Sequence, residues 1–417
     1  MRIAYFQGEF PRLCEAYLLD QIVALIRAGH EVDIISTLRA DHPKIHPDIK
    51  TYNLEASARY LNLPYGRWPQ IFSAIKLVFQ NFHKAPLKIL KSLNFWGYDC
   101  PCVDIYLRVI HSTILFVRSG NTDYDILHCH LAFVGSTVVA LRQLGIIKGK
   151  IITTYASSDI YVYPHQFKHN VYASLWKYCD LHLAYTNYVA NCIKTLGANP
   201  SSIKILPLGL DISKFPFKER VVVPNSPIKI LTVARLAPKK GLEYSIRAFD
   251  LVCKANPSVN LIYSIVGEGP NRPQLEALIE ELGIGDRLFL LGWKDRSECA
   301  ELYLDAHFYV IPSITSDDGN KEGQGVALQE AQATGLPVIA TDHNGFPEGL
   351  LEGESGYLVP EKDIEGLAAK MTQLINCSDR WAAMGRAGRH FIENKYDIEK
   401  INLEFVEICT ALVNAHD

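Results

Sequence analysis

No run of about 18 uncharged apolar residues occurs in the 417-residue chain, so no membrane-spanning helix is expected. The opening MRIAYFQGEF lacks the apolar core and cleavage site of a secretory signal, and the chain is expected to stay in the cytoplasm. None of the ten cysteines falls in a Cys-x-x-Cys pair. Cys100 and Cys102 are the one close couple, and no His or Cys cluster beside them completes a zinc site. Scattered thiols of this kind suit a reducing compartment. A net charge of -3 excludes the basic balance of a nucleic-acid binder and any acidic tail. Short-period repeats and low-complexity tracts are also missing, which excludes solenoids and disordered arrays.

With 48% hydrophobic and 21% charged residues, the composition is that of an ordinary globular protein, and the length predicts two domains. Arg2 to Phe6 reads as a strand, Gln7-Gly8-Glu9 as a turn, and Cys14 to Ala28 as a helix with Leu18, Ile22, Leu25 and Ile26 inward. Gly29 ends that helix and a strand resumes over His30 to Ser36. The rhythm repeats with strands over Ile126 to Cys129, Lys150 to Tyr155, Leu181 to Tyr185 and Ile203 to Leu206. Helices over Phe133 to Leu144 and Val189 to Leu196 lie between them. Such alternation predicts an α/β fold with a parallel sheet covered on both faces. FPFKERVVVPNSP, Phe215 to Pro227, suits an interdomain linker. A second series follows, with strands over Ile228 to Ala234, Asn260 to Val266 and Arg287 to Leu291. Its first helix places Leu242, Ile246, Phe249 and Cys253 inward. The predicted divisions are 1–215, 228–395 and a last helix in 396–417 packing back toward the first domain.

Residues 60–118 differ from the rest. They hold seven Lys or Arg against two Asp, interleaved with Trp68, Phe72, Phe79, Phe82, Phe95 and Trp96. Such a region either lies on an anionic membrane or receives a lipid-linked substrate, or it packs as a helical insertion with a solvated basic rim. Amphipathic helices ordinarily bury their apolar face in their own protein, which favours the insertion.

Chemistry concentrates between Phe308 and Gly349, which reads as strand, polar loop, short helix and strand. The loop carries Asp317, Asp318, Glu322, Gly323 and Gly325, and a helix is expected from about Gly325 to Thr334. Amides at a helix start have no intrahelical partner, and that end suits a phosphate. Val326 and Glu330 share one helix face, where Glu330 can accept two hydroxyl hydrogen bonds. Upstream, Arg235 and Lys240 at the mouth of a strand can neutralise a diphosphate. The Gly267-Glu268-Gly269-Pro270 turn is no dinucleotide fingerprint, because Arg272 stands where the third glycine belongs. Taken singly, each of these also reads as a solvated loop. Their coincidence in one doubly wound domain, where ligands lie beyond the carboxyl ends of the strands, points to one site.

The order ILTVARLAPKKG, IVGEGP, LFLLGW, EGQGVALQE and GLPVIATDHNGFPE resembles the retaining family 4 glycosyltransferases of the GT-B fold, over nearly the whole chain. GEFPRLCEAYLLDQI, DILHCH and LGLDISKF resemble segments of its exopolysaccharide, colanic-acid-type branch. The resemblance implies two Rossmann-like doubly wound parallel-sheet domains facing an interdomain cleft. It also implies a nucleotide-diphosphate sugar as donor and a glycan or lipid-linked acceptor, with no cofactor or metal required. Carried over by motif, Arg235 and Lys240 bind the diphosphate, Glu322 the sugar hydroxyls and Glu330 the ribose. Gly325 and Val326 meet the distal phosphate, Gly267 and Gly292 flank the base, and Gly8 approaches the phosphates from the other domain. Where relatives carry a histidine in T-F-H-G-x-D, this chain has Ala156, although Asp159 remains. Cys14 and Ala16 replace the usual Ser and Thr beside Glu15. Glu15, His128, His130 and Asp159 are therefore the acceptor-side candidates, each histidine reading first as a structural strand-end residue. A sugar-nucleotide epimerase would isomerise the donor without acceptor, and a binding protein would release no nucleotide.

Overall fold

The computed structural model describes residues 1–11, 16–40, 47–94, 102–155, 158–166, 171–223 and 226–415. The chain divides into two compact units, Met1–Leu206 with Ile401–Asp417, and Pro207–Lys400.

The first unit runs β1 (Arg2–Phe10), α1 (Ala16–Arg27), β2 (Glu31–Arg39), α2 (Pro47–Thr51), α3 (Leu54–Ser57) and β3 (Ala58–Tyr60). Helices α4 (Arg67–Asn81), α5 (Pro86–Leu93) and α6 (Val103–Ser119) precede β4 (Asp123–His130), α7 (Ala132–Gln143) and β5 (Lys148–Thr154). Short helices α8 (Ser158–Tyr161), α9 (Tyr163–Gln166) and α10 (Ala173–Tyr178) lead to β6 (Leu181–Ala184), α11 (Asn187–Thr195) and β7 (Ile203–Ile205). All seven strands are parallel, in the order β3-β2-β1-β4-β5-β6-β7. The turn expected at Gln7-Gly8-Glu9 is strand instead. Gln7, Glu9 and Phe10 continue the ladder opposite Ser36, Leu38 and Arg39, so pairing with β2 overrides the polar, glycine-bearing local sequence.

The second unit runs β8 (Ile228–Val233), α12 (Leu242–Ala255), β9 (Leu261–Val266), α13 (Arg272–Leu282), β10 (Leu288–Leu290) and α14 (Arg296–Asp305). It continues with β11 (Phe308–Ile311), α15 (Val326–Ala333), β12 (Val338–Thr341), β13 (Gly356–Val359), α16 (Ile364–Asn376) and α17 (Trp381–Lys395). Its sheet is parallel in the order β10-β9-β8-β11-β12-β13. Strands β11 and β12 are buried at every position, as strands covered on both faces must be. Helix α12 buries Leu242, Ile246, Phe249 and Cys253 in that core.

The stretch read as a linker belongs to this unit as far as it is described. Phe215 is buried edge-on against Tyr303. Arg220 donates to the carbonyls of Tyr303 and Thr334, and Arg389 to those of Phe215 and Ala333. The cations thus cap the carboxyl ends of α14 and α15, where helix carbonyls lack intrahelical partners. The last helix, α18 (Ile398–Asn414), contributes Ile401, Phe405, Ile408 and Cys409 to the first unit's core beside Tyr5, Ile22 and Ile126. Among the described residues no helix is long and apolar enough to cross a membrane.

Candidate functional site

In the second sheet β8 lies between β9 and β11, so the loops after β8 and β11 part at the carboxyl edge. An open α/β sheet forms its ligand crevice at such a point. The β8–α12 loop carries Arg235, Lys239 and Lys240, and Gly241 draws it against the other loop. Gly241 has φ +56°, and a Cβ there would sit 2.2 Å from the Pro312 carbonyl oxygen. Ile314 N–H donates to the Lys239 carbonyl at 2.9 Å.

This approach brings two ammonium groups onto one carboxylate. Lys240 Nζ lies 2.9 Å from Glu322 Oε2 and donates to it. Lys239 Nζ lies 3.0 Å from Oε1 as an ion pair outside hydrogen-bond geometry. All three side chains are largely buried. Burial by itself would raise the Glu322 pKa, but Lys240 and then Lys239 outweigh it and hold the carboxyl down to about 2. Arg235, in the same loop, is exposed, and among the described residues its guanidinium has no ion-pair partner. The Lys239 contact was not foreseen, although the Lys-Lys doublet before Gly241 was visible.

The backbone of Glu322 is held from both sides. Its N–H donates to His343 Nε2 at 3.0 Å, and its carbonyl accepts from Asn344 Nδ2 at 2.8 Å. His343 must therefore carry its proton on Nδ1, which faces Glu361 Oε1 at 2.5 Å. Burial lowers the His343 pKa against the opposing pull of Glu361. Glu361 also accepts from Thr315 N–H at 2.7 Å, which fixes the loop's first half. Two residues on, Gln324 exchanges both amide hydrogen bonds with the Leu208 backbone, at 2.7 and 2.9 Å. His343, Asn344, Glu361 and Gln324 were not singled out from sequence. For His343 and Asn344 the signal was the DHNG tetrapeptide, whose partners lie about twenty residues away on either side.

Helix α15 starts at Gly325, with φ +80°, where a Cβ would lie 2.3 Å from Phe346 Cε1. No side chain caps this end, and the first amides of a helix have no intrahelical partner. Glu330, one turn on from Val326, is half-buried and accepts from Tyr303 Oη at 2.9 Å. Burial raises its pKa, opposed by that hydrogen bond and by Arg296. Gly267 donates its N–H to the Gly292 carbonyl at 2.9 Å, and its missing Cβ allows the Ala234 carbonyl to approach. The loops after β8, β9 and β10 are thereby stacked at one edge. Asp318 accepts from Ser316 Oγ and Asn320 N–H and so serves its own turn.

In the first unit, Gly8 lies inside β1, where a Cβ would meet nothing within 4 Å. Protein packing therefore does not require glycine there. His128 is a core residue: it bonds Thr154 Oγ1 at 2.8 Å and packs edge-on against Tyr5, and burial depresses its pKa to about 3. His130 is buried too, with its pKa lowered to about 4 by burial. Asp159 accepts from Ala132 N–H at the start of α7 and lines a cavity of about 380 Å³ with Arg108, Asp104, Phe133 and Tyr163. Glu15 lies outside the described residues.

Two parallel doubly wound units define the GT-B class. Within it, the chain belongs to the glycosyltransferases described as group 1, which match residues 213–391, and as Glycosyltransferase Family 4, which match residues 14–214. The putative colanic acid biosynthesis glycosyltransferase WcaL of Salmonella typhimurium strain LT2 is 34% identical over 89% of this chain and 90% of its own. The amylovoran biosynthesis glycosyltransferase AmsK of Erwinia amylovora is 28% identical over 99% of this chain and 100% of its own. Among solved structures, sucrose-phosphate synthase from Thermosynechococcus elongatus aligns with a TM-score of 0.71 at 20% identity over 100% of both chains. HepE from Anabaena, in complex with UDP and glucose, aligns at 0.68 and 17% identity over 99% of this chain and 100% of its own. These two likenesses concern the fold.

Proposed function

We propose that this chain is a retaining, metal-independent glycosyltransferase that moves a sugar from a nucleoside diphosphate sugar to a hydroxyl of a glycan or lipid-linked acceptor. It acts in polysaccharide synthesis, in the cytoplasm at the inner face of the membrane. The observation that carries this reading is the buried Lys239–Glu322–Lys240 cluster where the β8 and β11 loops part. Relatives named for colanic acid and amylovoran biosynthesis support the polysaccharide setting.

In the reaction, the bond between the anomeric carbon and the diphosphate oxygen breaks and the acceptor oxygen bonds to that carbon on the same face. The acceptor proton passes to the departing phosphate oxygen, so no protein base is assigned. Arg235 and Lys240 meet the charge that grows on the diphosphate, a preorganised electrostatic effect. The amides of Gly325 and Val326 take the distal phosphate. Glu322 accepts from the sugar hydroxyls and Glu330 from the ribose, with Gly267 and Gly292 beside the base and Gly8 assigned to the phosphates. On the acceptor side we assign Asp159 with the cavity it lines, and Glu15. His128 and His130 are left to packing.

A thermal-shift panel of nucleoside diphosphate sugars tests the donor, since a ligand that binds the folded state raises the unfolding temperature. Acceptor-dependent nucleotide release in excess chelator, with the product anomer read by NMR, tests the transfer. One stabilising sugar nucleotide and chelator-resistant release with retention are expected. Isomerisation of the donor without acceptor would overturn the transferase reading. Release that vanishes in chelator and returns with Mg²⁺ would overturn metal independence.

A further inference from the structure

Helix α4 is apolar on two faces. Ile71, Ala74 and Val78 pack inward against Tyr106, Leu107 and Ile110 of α6. Trp68, Phe72, Ile75 and Phe79, spaced as one helical stripe, point outward and are 72%, 68%, 49% and 79% exposed. Helix α5 repeats the arrangement: Ile89 and Ser92 are buried, while Leu87 and Leu90 are 75% and 51% exposed. Phe82, in the turn between them, is exposed as well. Both helices are fastened by their inner faces. His111 Nε2 lies 3.2 Å from Ser73 Oγ, Arg118 Nε donates to Asn81 Oδ1 at 2.9 Å, and Tyr106 Oη donates to the Leu93 carbonyl at 2.8 Å. The outer stripe is therefore surplus to the insertion's own packing, which takes up the inner face alone. Phe95 and Trp96 lie outside the described residues. Single exposed apolar residues are normal, but a row of aromatic ones marks an interaction surface.

Charge selects the occupant. From Ala56 to Tyr98 the sequence has no Asp or Glu, whereas Lys76, Lys84, Lys88 and Lys91 fall on α4, α5 and the turn between them. A second copy meeting this face symmetrically would set these cations against one another. An anionic bilayer takes the cations at its headgroups and the aromatic rings at interfacial depth. We infer that the outer face of α4 and α5 docks this chain on an anionic phospholipid leaflet, with Trp68, Phe72, Phe79 and Leu87 entering the interface. The inference rests on the transferase reading for its purpose, which is to keep the enzyme where a lipid-linked acceptor lies, and not for its evidence.

Co-sedimentation of the full chain with phosphatidylethanolamine–phosphatidylglycerol vesicles, and with pure phosphatidylcholine vesicles, tests it. Binding is expected to the anionic vesicles, weakening as salt rises. Trp68→Ala/Phe72→Ala/Phe79→Ala should lower that partition by about tenfold or more. Each of Lys84→Gln and Lys91→Gln should lower it by about fivefold. Sugar-nucleotide thermal shifts of these variants should match the wild type, which shows that they fold. The proposal is overturned if the wild type stays in the supernatant, or if the triple variant binds as the wild type does. It is overturned equally if sedimentation velocity finds a dimer that the triple variant dissolves, because the occupant is then a second copy. Vesicle binding by a chain that no sugar nucleotide stabilises would leave the surface standing and remove the transferase reading instead.

Discussion

Replacing Glu322 by Gln keeps the shape of the side chain and removes the one negative charge shared by Lys239 and Lys240. The two ammonium groups retain only 15% and 14% of their side-chain surface, and among the described residues neither has another acidic partner. Breaking a buried pair on one side costs about 3–5 kcal/mol, and the solvent contact that the lysines keep argues for about 3. In a unit of this size about 1 kcal/mol moves the midpoint by about 2–4 °C, so the ligand-free variant should unfold roughly 6–12 °C below the wild type. The nucleoside diphosphate of the donor that the thermal-shift panel selects should then stabilise E322Q more than it stabilises the wild type, because its diphosphate supplies the missing charge. Turnover with a complete donor should nevertheless fall, since a hydroxyl acceptor has been lost. The pH dependence carries the same sign. Burial raises the Glu322 pKa, but the lysines bring it to about 2, below its unfolded value. The carboxylate therefore contributes its full stability above the ordinary Glu range and loses it as pH falls toward 2. The gap between wild type and variant should close over that interval in calorimetry. Equal midpoints and equal nucleoside diphosphate shifts would refute the reasoning.

Arg235→Ala should lower turnover by roughly 10²- to 10³-fold with little change in unfolding temperature, because the guanidinium is exposed; steady-state kinetics with undiminished turnover would remove it from the mechanism. His343→Ala leaves the buried Glu322 amide without its acceptor and Glu361 with Thr315 alone, which should cost about 1–3 kcal/mol in denaturant unfolding. Burial sets the His343 pKa below its unfolded value, so the wild type should lose stability as pH falls below that value and H343A should not. Gly325→Ala meets both a positive φ and the Phe346 ring, whereas Gly353→Ala meets a similar φ of +77° with nothing within 4 Å. The control should therefore show only the backbone cost of about 1–2 kcal/mol, and G325A should lose sugar-nucleotide stabilisation in addition.

Local pattern predicts elements well where burial is continuous and fails where a distant partner decides. Strands β11 and β12 and the inward face of α12 were legible because apolar spacing is itself the cause of their burial. Helix α14 was not, since it buries little beyond Tyr303; its signal was the capping box of Asp295 and Glu298. Strand β13, at the sheet's edge, is four residues long and starts at Gly356, whose missing Cβ admits the Val338 carbonyl. The prolines and charges of Phe215 to Pro227 suggested a linker because composition cannot distinguish a solvated cation from one that caps a helix. Arg220 and Arg389 are of the second kind.

The same division runs through the site. Side chains proposed to touch the donor are recognisable by type and spacing, because a diphosphate demands cations and sugar hydroxyls demand carboxylates. Residues that hold those side chains act on the backbone, and their chemistry is unremarkable until the partner is seen. His343 is buried, neutral and far from Glu322 in sequence, yet it fixes the amide on which the Glu322 carboxylate depends for its position. A carboxylate flanked by two lysines would otherwise be free to follow either cation, and the loop could settle with Glu322 turned toward Lys239 or toward Lys240. The His343 and Asn344 contacts on both sides of one peptide remove that choice. Substitutions at these two positions should therefore scatter the site's geometry while leaving its charge intact, a failure that no comparison of charged residues alone would foresee.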